Sequence, residues 1–231
     1  MKKQDISCFE CNIRYCSILK NCERKFLELI DKSKFCMTYG KGQIVIRQGS
    51  QIDGVYFISS GVAKVFVSGY RGRPLIVGLA RAGSVLDHTT DELGKQQISV
   101  TTVEETSVCF IESKDYESIC KESSGVREDL TKVYQRELNQ MHARMVHLAQ
   151  LNVREKTSEA LLHIASAYLL EQSTEPFEVN LSRQDIGDLI GITKEQVSKN
   201  LADLKHEKVI SVKGKTLQIN DYKKLQDIVG L

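Results

Sequence analysis

The 231-residue chain has no tryptophan and only two prolines, Pro74 and Pro176. A proline-rich linker is therefore excluded, and between Gly125 and Gly187 only Pro176 interrupts the helical periodicity. Charge of one sign is also lacking. Thirty-two Lys and Arg stand against thirty Asp and Glu, leaving a net +2, so any nucleic-acid surface must be local. No run approaches the roughly 18 uninterrupted apolar residues of a membrane helix. The opening Met-Lys-Lys-Gln-Asp-Ile-Ser-Cys has no secretory apolar region, which leads to the expectation of a cytoplasmic protein with no membrane partner. With 41% hydrophobic and 27% charged residues the chain can bury a core, and its length suggests more than one domain.

What is abundant is placed unevenly. Four of the seven cysteines, Cys8, Cys11, Cys16 and Cys22, fall at the amino terminus, whereas Cys36, Cys109 and Cys120 are scattered. A cytoplasmic compartment keeps thiols reduced, so structural disulfides are not expected. Cys8-x2-Cys11-x4-Cys16 gathers three soft thiolates in a short loop, as an iron–sulfur cluster or a zinc ion requires, and Cys22 offers a local fourth. Cys36 and Cys120 read as structural. Cys109, between Val108 and Phe110, also suits a buried strand position, since a thiol packs as a small hydrophobe.

From Gly40 to Glu112 short β-branched or aromatic runs alternate with glycines: 43–47, 54–58, 62–67, 75–80, 98–103 and 106–111. This texture predicts an all-β barrel or roll. After Gly125 no glycine follows until Gly187. Tyr134, Leu138, Met141, Met145 and Leu148 then recur four and three apart, the seam of a parallel coiled coil and hence of a homodimer, the alternative being a helix packed on its own domain. Gln135, Arg136, Asn139, Gln140 and Arg144 are expected to face solvent between the seam positions. A further helix over about 154–170 should begin the last domain.

Ser182-Arg-Gln-Asp185 and Thr193-Lys-Glu-Gln196 are two capping boxes separated by the turn Gly191-Ile192. Two capped helices this close, with Leu189, Ile192, Val197 and Leu201 spaced to pack together, predict a helix-turn-helix. Its second helix enters the major groove amino end first, so Lys194, Glu195, Gln196, Ser198, Lys199 and Asn200 are the candidate readers, with Ser182 and Arg183 beside them. Glu195 can accept from a cytosine amino group and Lys199 can donate to a guanine. Downstream, residues 209–212 and 216–219 flank Lys213-Gly214-Lys215 as a wing whose two lysines suit phosphates rather than bases. From Lys194 onward eight lysines face five acids, a local +3 that corroborates the motif.

A β-roll, a long dimer helix and a winged helix-turn-helix in that order resemble the Crp/Fnr regulators. The signature-like stretches are Lys41-Gly42-Gln43, Arg47-Gln48-Gly49, 56–61 and 181–191. The resemblance implies an α+β chain with a sensor segment at 1–24, a β-roll at 25–124, a dimerisation helix at 125–153 and a winged helix-turn-helix at 154–231. It also implies a homodimeric transcription factor that binds pseudo-palindromic double-stranded DNA and meets RNA polymerase. Glu195, Ser198 and Lys199 correspond to the Glu, Ser and Arg of the Fnr branch. Here the lysine lacks arginine's planar fork and alters the base contact.

Cyclic-nucleotide members hold the phosphate with an Arg-Ser pair after a Gly-Glu turn. The corresponding stretch here, Gly83 to Thr90, has neither Gly-Glu nor arginine, so cyclic AMP is not expected. His88 is the one candidate haem ligand there. Fnr-type oxygen sensors use three amino-terminal cysteines and one in the roll, which carries over to Cys8, Cys11, Cys16 and Cys109 as ligands of a 4Fe-4S cluster. One residue fewer between Cys11 and Cys16 departs from the pattern. The competing readings are a metal-free thiol switch, a small ligand in the roll and a cluster-bearing electron carrier. No phosphate-cradling glycine loop or nucleophile–base signature points to an enzyme.

Overall fold

The computed structural model describes residues 7–11, 17–86, 94–168 and 173–230. Cys16 and His88, each singled out as a candidate ligand, lie outside the described residues. The chain forms two compact units, one of residues 1–68 with 80–140, the other of 69–79 with 141–231.

The first unit opens with α1 (Arg24–Ser33), whose Phe26, Leu27 and Ile30 share one buried face. The amino-terminal strands, in chain order, are β1 (Phe35–Tyr39), β2 (Ile44–Ile46), β3 (Gly54–Ser60), β4 (Val62–Ser68), β5 (Pro74–Arg81), most of which is counted with the second unit, β6 (Val85–Leu86), β7 (Ser99–Thr102) and β8 (Thr106–Glu112). They build two four-stranded sheets ordered β1-β8-β3-β6 and β2-β7-β4-β5. The helices α2 (Ser113–Glu122) and α3 (Ser124–Gln150) follow.

Period-two alternation sorts the first sheet. Ile58, Leu86 and Val108 join Ile46, Ala63 and Val100 in the roll interior. Their neighbours Val55, Phe57, Val85 and Ile111 face outward into a second core with Ile18, Leu19, Phe26, Leu27, Ile30 and Ile119. Cys109 lies between Val108 and Phe110 in sequence but packs on this outer core. The register pairs it with Cys36 on one side and Phe57 on the other.

The glycine texture anticipated the roll but not α1, β1 or β6. β1 is an edge strand of mixed residues, Phe-Cys-Met-Thr-Tyr, recognisable only through its pairing with β8. α3 ends at Gln150 rather than 153 because the Asn152 side chain accepts from the backbone N–H groups of Arg154 and Glu155. That cap starts α4 (Val153–Ala167) as a separate helix.

In the second unit α5 (Arg183–Ile190) and α6 (Lys194–His206) form the expected pair, each opened by its capping box. A Cβ on Gly187 would lie 2.6 Å from the Ile192 carbonyl oxygen, so the turn closes only over glycine. Gly191 supplies the left-handed φ of 68° that ends α5. The wing strands β10 (Ile210–Lys213) and β11 (Thr216–Ile219) pair antiparallel. β9 (Phe177–Glu178) adds to β11, and α7 (Tyr222–Val229) closes the unit; neither was legible in the sequence. Among the described residues no helix is long and apolar enough to cross a membrane.

Candidate functional site

On α6, Val197, Leu201 and Leu204 are buried, which turns Lys194, Glu195, Gln196, Ser198 and Lys199 outward while Asn200 is half-buried. The predicted readers thus occupy one exposed face of the first two turns. They are not equivalent. Gln196 spends its side-chain oxygen on the Thr193 backbone N–H at 3.0 Å, and the Ser198 hydroxyl donates to the Lys194 carbonyl at 2.8 Å. Glu195 and Lys199 keep their charged groups outermost, Glu195 with Lys194 3.8 Å away. Ser182 is engaged in its cap with Asp185, whereas Arg183 is half-buried. Lys213 and Lys215 are exposed at the wing tip around Gly214, whose φ is 62°.

The reader is braced from behind. Arg154 donates from both terminal nitrogens to the two carboxylate oxygens of Glu207, each at 2.7 Å, joining the start of α4 to the end of α6. This bidentate geometry holds the Glu207 carboxyl below its ordinary range. Lys205 Nζ donates to the Val212 carbonyl at 3.3 Å, linking α6 to the wing.

On α3, Tyr134, Leu138, Met141 and Met145 are exposed, at 40 to 61%, and Leu148 is half-buried. Val146 adds a further exposed apolar side chain that the heptad did not select. Gln135, Arg136, Asn139 and Gln140 are exposed as expected. Arg144 is not the solvated residue its heptad position suggested. It is half-buried and donates to the carbonyls of Val77 at 2.8 Å, Leu189 at 2.5 Å and Ile76. A long guanidinium reaches backbone acceptors on other elements, which helical periodicity cannot encode.

The second constellation lies on the outer face of the first sheet. Cys8, Cys11, Cys36 and Cys109 line one cavity with Leu19, Leu27, Ile30, Lys34, Phe57 and Ile111 among its walls. Cys22 packs against the same core but does not line the cavity, and its Sγ approaches the Glu23 carbonyl at 3.7 Å. Cys120 is held against the core near Tyr116. Cys36, read from the sequence as structural, faces the cavity instead, with its Sγ 2.9 Å from that of Cys109.

Lys34 and Asp31 position the Cys8 turn. Asp31 accepts from the Cys8 backbone N–H at 2.6 Å and the Ser7 hydroxyl at 3.1 Å, and pairs with Lys34 at 2.6 Å. Lys34 Nζ also donates to Cys8 Sγ at 3.2 Å. The Lys34 bond chiefly holds the Asp31 carboxyl down at about 2. Burial pushes the Cys8 thiol up to about 11, opposed by Lys34. Burial alone would lower Lys34, but its bonds to Asp31 and Cys8 outweigh that and raise it. The contact with Cys36, and then burial, keep Cys109 well above the ordinary thiol range. A cation beside a buried sulfur offsets part of the cost of thiolate there. No group of three or more His, Cys, Asp or Glu is already arranged around a metal-sized point among the described residues.

Two family models match the chain in the order the fold gives. The cyclic nucleotide-binding domain covers residues 36–123 and the Crp-like helix-turn-helix domain residues 155–228. The chain belongs to the Crp/Fnr family of transcriptional regulators. Among its relatives, the transcriptional activator protein FnrL of Cereibacter sphaeroides is 27% identical, the alignment spanning 96% of this chain and 92% of that protein. The fumarate and nitrate reduction regulatory protein of Vibrio cholerae is 25% identical over 98% and 91%. The solved structure of FixK2 from Bradyrhizobium japonicum shares the fold with a TM-score of 0.77 at 20% identity, over 86% of this chain and 98% of that one. The homologues are regulators and not enzymes. As a Crp/Fnr regulator the chain binds DNA with its Crp-like helix-turn-helix domain, and the α+β architecture agrees with its structural relatives.

Proposed function

We propose that this Crp/Fnr regulator is a homodimer that reads a pseudo-palindromic DNA site and responds to oxygen or redox state. In this reading Cys8, Cys11, Cys16 and Cys109 hold a 4Fe-4S cluster. The observation that carries it is the convergence of Cys8 and Cys11 with the sequence-distant Cys109 on one cavity, while Cys22 stays outside. The relatives named as anaerobic or fumarate and nitrate reduction regulators favour the same reading.

When bound, such a cluster supplies an oxygen-labile, redox-active centre. The chain's own part is to hold its ligands. Asp31 and Lys34 orient the Cys8 turn and place a cation at its sulfur, and the roll presents Cys109 from β8. Ligation displaces the thiol protons, so loading releases protons. Tying the amino-terminal turn to the roll in one state and not the other gives the differential stabilisation a switch needs.

The long helix α3 would carry the signal. In the first unit its start is bonded to the amino-terminal segment through Asp129, and in the second its end is bonded to α5 through Arg144. The exposed apolar stripe from Tyr134 to Met145 fits a second copy of the same helix. A two-fold dimer presents its reading helices about one helical turn apart. Glu195 and Lys199 would then contact base edges and Lys213 and Lys215 phosphates. RNA polymerase is the partner such DNA-bound dimers address. The match to a cyclic nucleotide-binding domain describes the roll, and with no arginine between Arg81 and Arg127 this reading leaves cyclic AMP aside.

The test is the absorption spectrum and iron content of full-length protein purified without oxygen, with serine replacing each cysteine in turn. Cys8→Ser, Cys11→Ser, Cys16→Ser and Cys109→Ser should each lose iron and oxygen-dependent DNA binding, and Cys22→Ser should keep both. Full iron in Cys109→Ser with none in Cys22→Ser would make the site local and end the coupling to the roll.

A further inference from the structure

We propose that Cys36 and Cys109 form a cross-strand dithiol that low-molecular-weight disulfides oxidise to a disulfide, removing Cys109 from the cysteine set of the cavity. Cys36 stands directly opposite Cys109 in the antiparallel register of β1 and β8. Directly opposed residues have Cα atoms about 4.5–5.5 Å apart, inside the roughly 4.4–6.8 Å span of a disulfide, so the backbone need not move. The two sulfurs are 2.9 Å apart, and both line the cavity.

That separation argues against joint ligation. Two thiolates on one tetrahedral metal with bonds of about 2.3 Å stand about 3.8 Å apart, and thiolates on different metals stand farther still. Cys36 and Cys109 at 2.9 Å are therefore placed to bond each other rather than to share a centre. Cys36 is the more buried of the two at 8% exposed, and Cys109 is half-buried, which assigns their order of reaction. The Cys109 thiolate attacks the disulfide oxidant, forming a mixed disulfide and expelling one thiolate. The Cys36 thiolate then attacks the Cys109 sulfur, closing the protein disulfide and expelling the second. The oxidant gains two electrons and leaves as two thiols, and the protein gives up its two thiol protons.

Dithiol closure itself needs no cluster. Only its consequence, blocked loading, rests on the reading of Cys109 as a ligand, and the test separates the two. Full-length metal-free protein is treated without oxygen with oxidised glutathione at mildly alkaline pH. It is then mapped as non-reduced peptides and offered iron and sulfide, before and after dithiothreitol. The wild type should give a peptide joining Cys36 to Cys109 and lose iron uptake until it is reduced. Cys36→Ser and Cys36→Ala should give no such peptide, collect a glutathione adduct on Cys109, and take up iron normally when kept reduced. Absence of the joined peptide from the wild type overturns the proposal. Loss of iron uptake in both reduced Cys36 variants, with near-native circular dichroism, overturns it as well, because Cys36 would then be a ligand. If reduced wild type takes up no iron, the cluster reading fails, and the peptide map still decides the dithiol.

Discussion

Asn21 and Asp129, 108 positions apart in sequence, are joined by three hydrogen bonds. The Asn21 backbone N–H donates at 3.2 Å, and its side-chain amide donates to both carboxylate oxygens at 3.0 and 2.8 Å. The segment just ahead of Cys22 is thereby fastened to the second turn of α3.

Asp129→Ala should release that fastening. Removing a charged acceptor from partly exposed bonds costs about 1–2 kcal/mol. Hydrogen exchange of residues 17–23 should quicken while that of β3 and β8 is unchanged. If the segment kept wild-type protection, the bonds would not hold it.

Acid should loosen the Cys8 turn through Asp31. Its carboxyl titrates at about 2 in the fold, below the ordinary value of about 3.9, so the unfolded chain binds the proton more readily. The stabilisation is therefore complete above about pH 4 and is lost as the pH falls toward 2. With the Asp31 side chain 27% exposed, solvent screening reduces the contribution to about 1–2 kcal/mol. Denaturant unfolding of Asp31→Asn should show a shallower pH dependence than the wild type across that window. Parallel curves for the two chains would contradict the assignment.

Readers and anchors should separate by salt and sequence. Glu195→Ala should relax base preference at one position of each half-site, by about 1–3 kcal/mol of discrimination. Lys213→Ala with Lys215→Ala should weaken all sequences alike and flatten the salt dependence, because phosphate contacts release counterions. A change of sequence preference in the wing pair would reverse the roles.

The α3 stripe should fail on a charge. Met141 is 61% exposed in the single chain, so Met141→Lys should leave the fold intact while burying a cation in the paired helices. Sedimentation should show a monomer and DNA affinity should fall. An unaltered dimer would place the interface elsewhere.

The helix-turn-helix was legible in the sequence because its determinants are local. Caps act over three residues, Gly191 is fixed by its own φ, and Val197, Leu201 and Leu204 follow a helical period. The roll was legible in outline for the same reason, through glycine-bounded β-branched runs. β1, β6, β9 and α7 were not, since short edge strands and a terminal helix acquire their state from the partners they pack on.

The cysteine count and the amino-terminal spacing are properties of the sequence alone, and they suffice to suggest thiolate chemistry. Which sulfurs meet is a matter of strand register and of the face each residue takes. Alternation along β8 turns Cys109 to the outer core, and pairing with β1 sets Cys36 against it. The approach of the Cys8 turn depends on the Asp31 and Lys34 bonds at the end of α1. The role of Arg144 was likewise decided by three carbonyls on elements far away in the chain. Local periodicity and capping chemistry determine elements, whereas long-range pairing determines which side chains share a site.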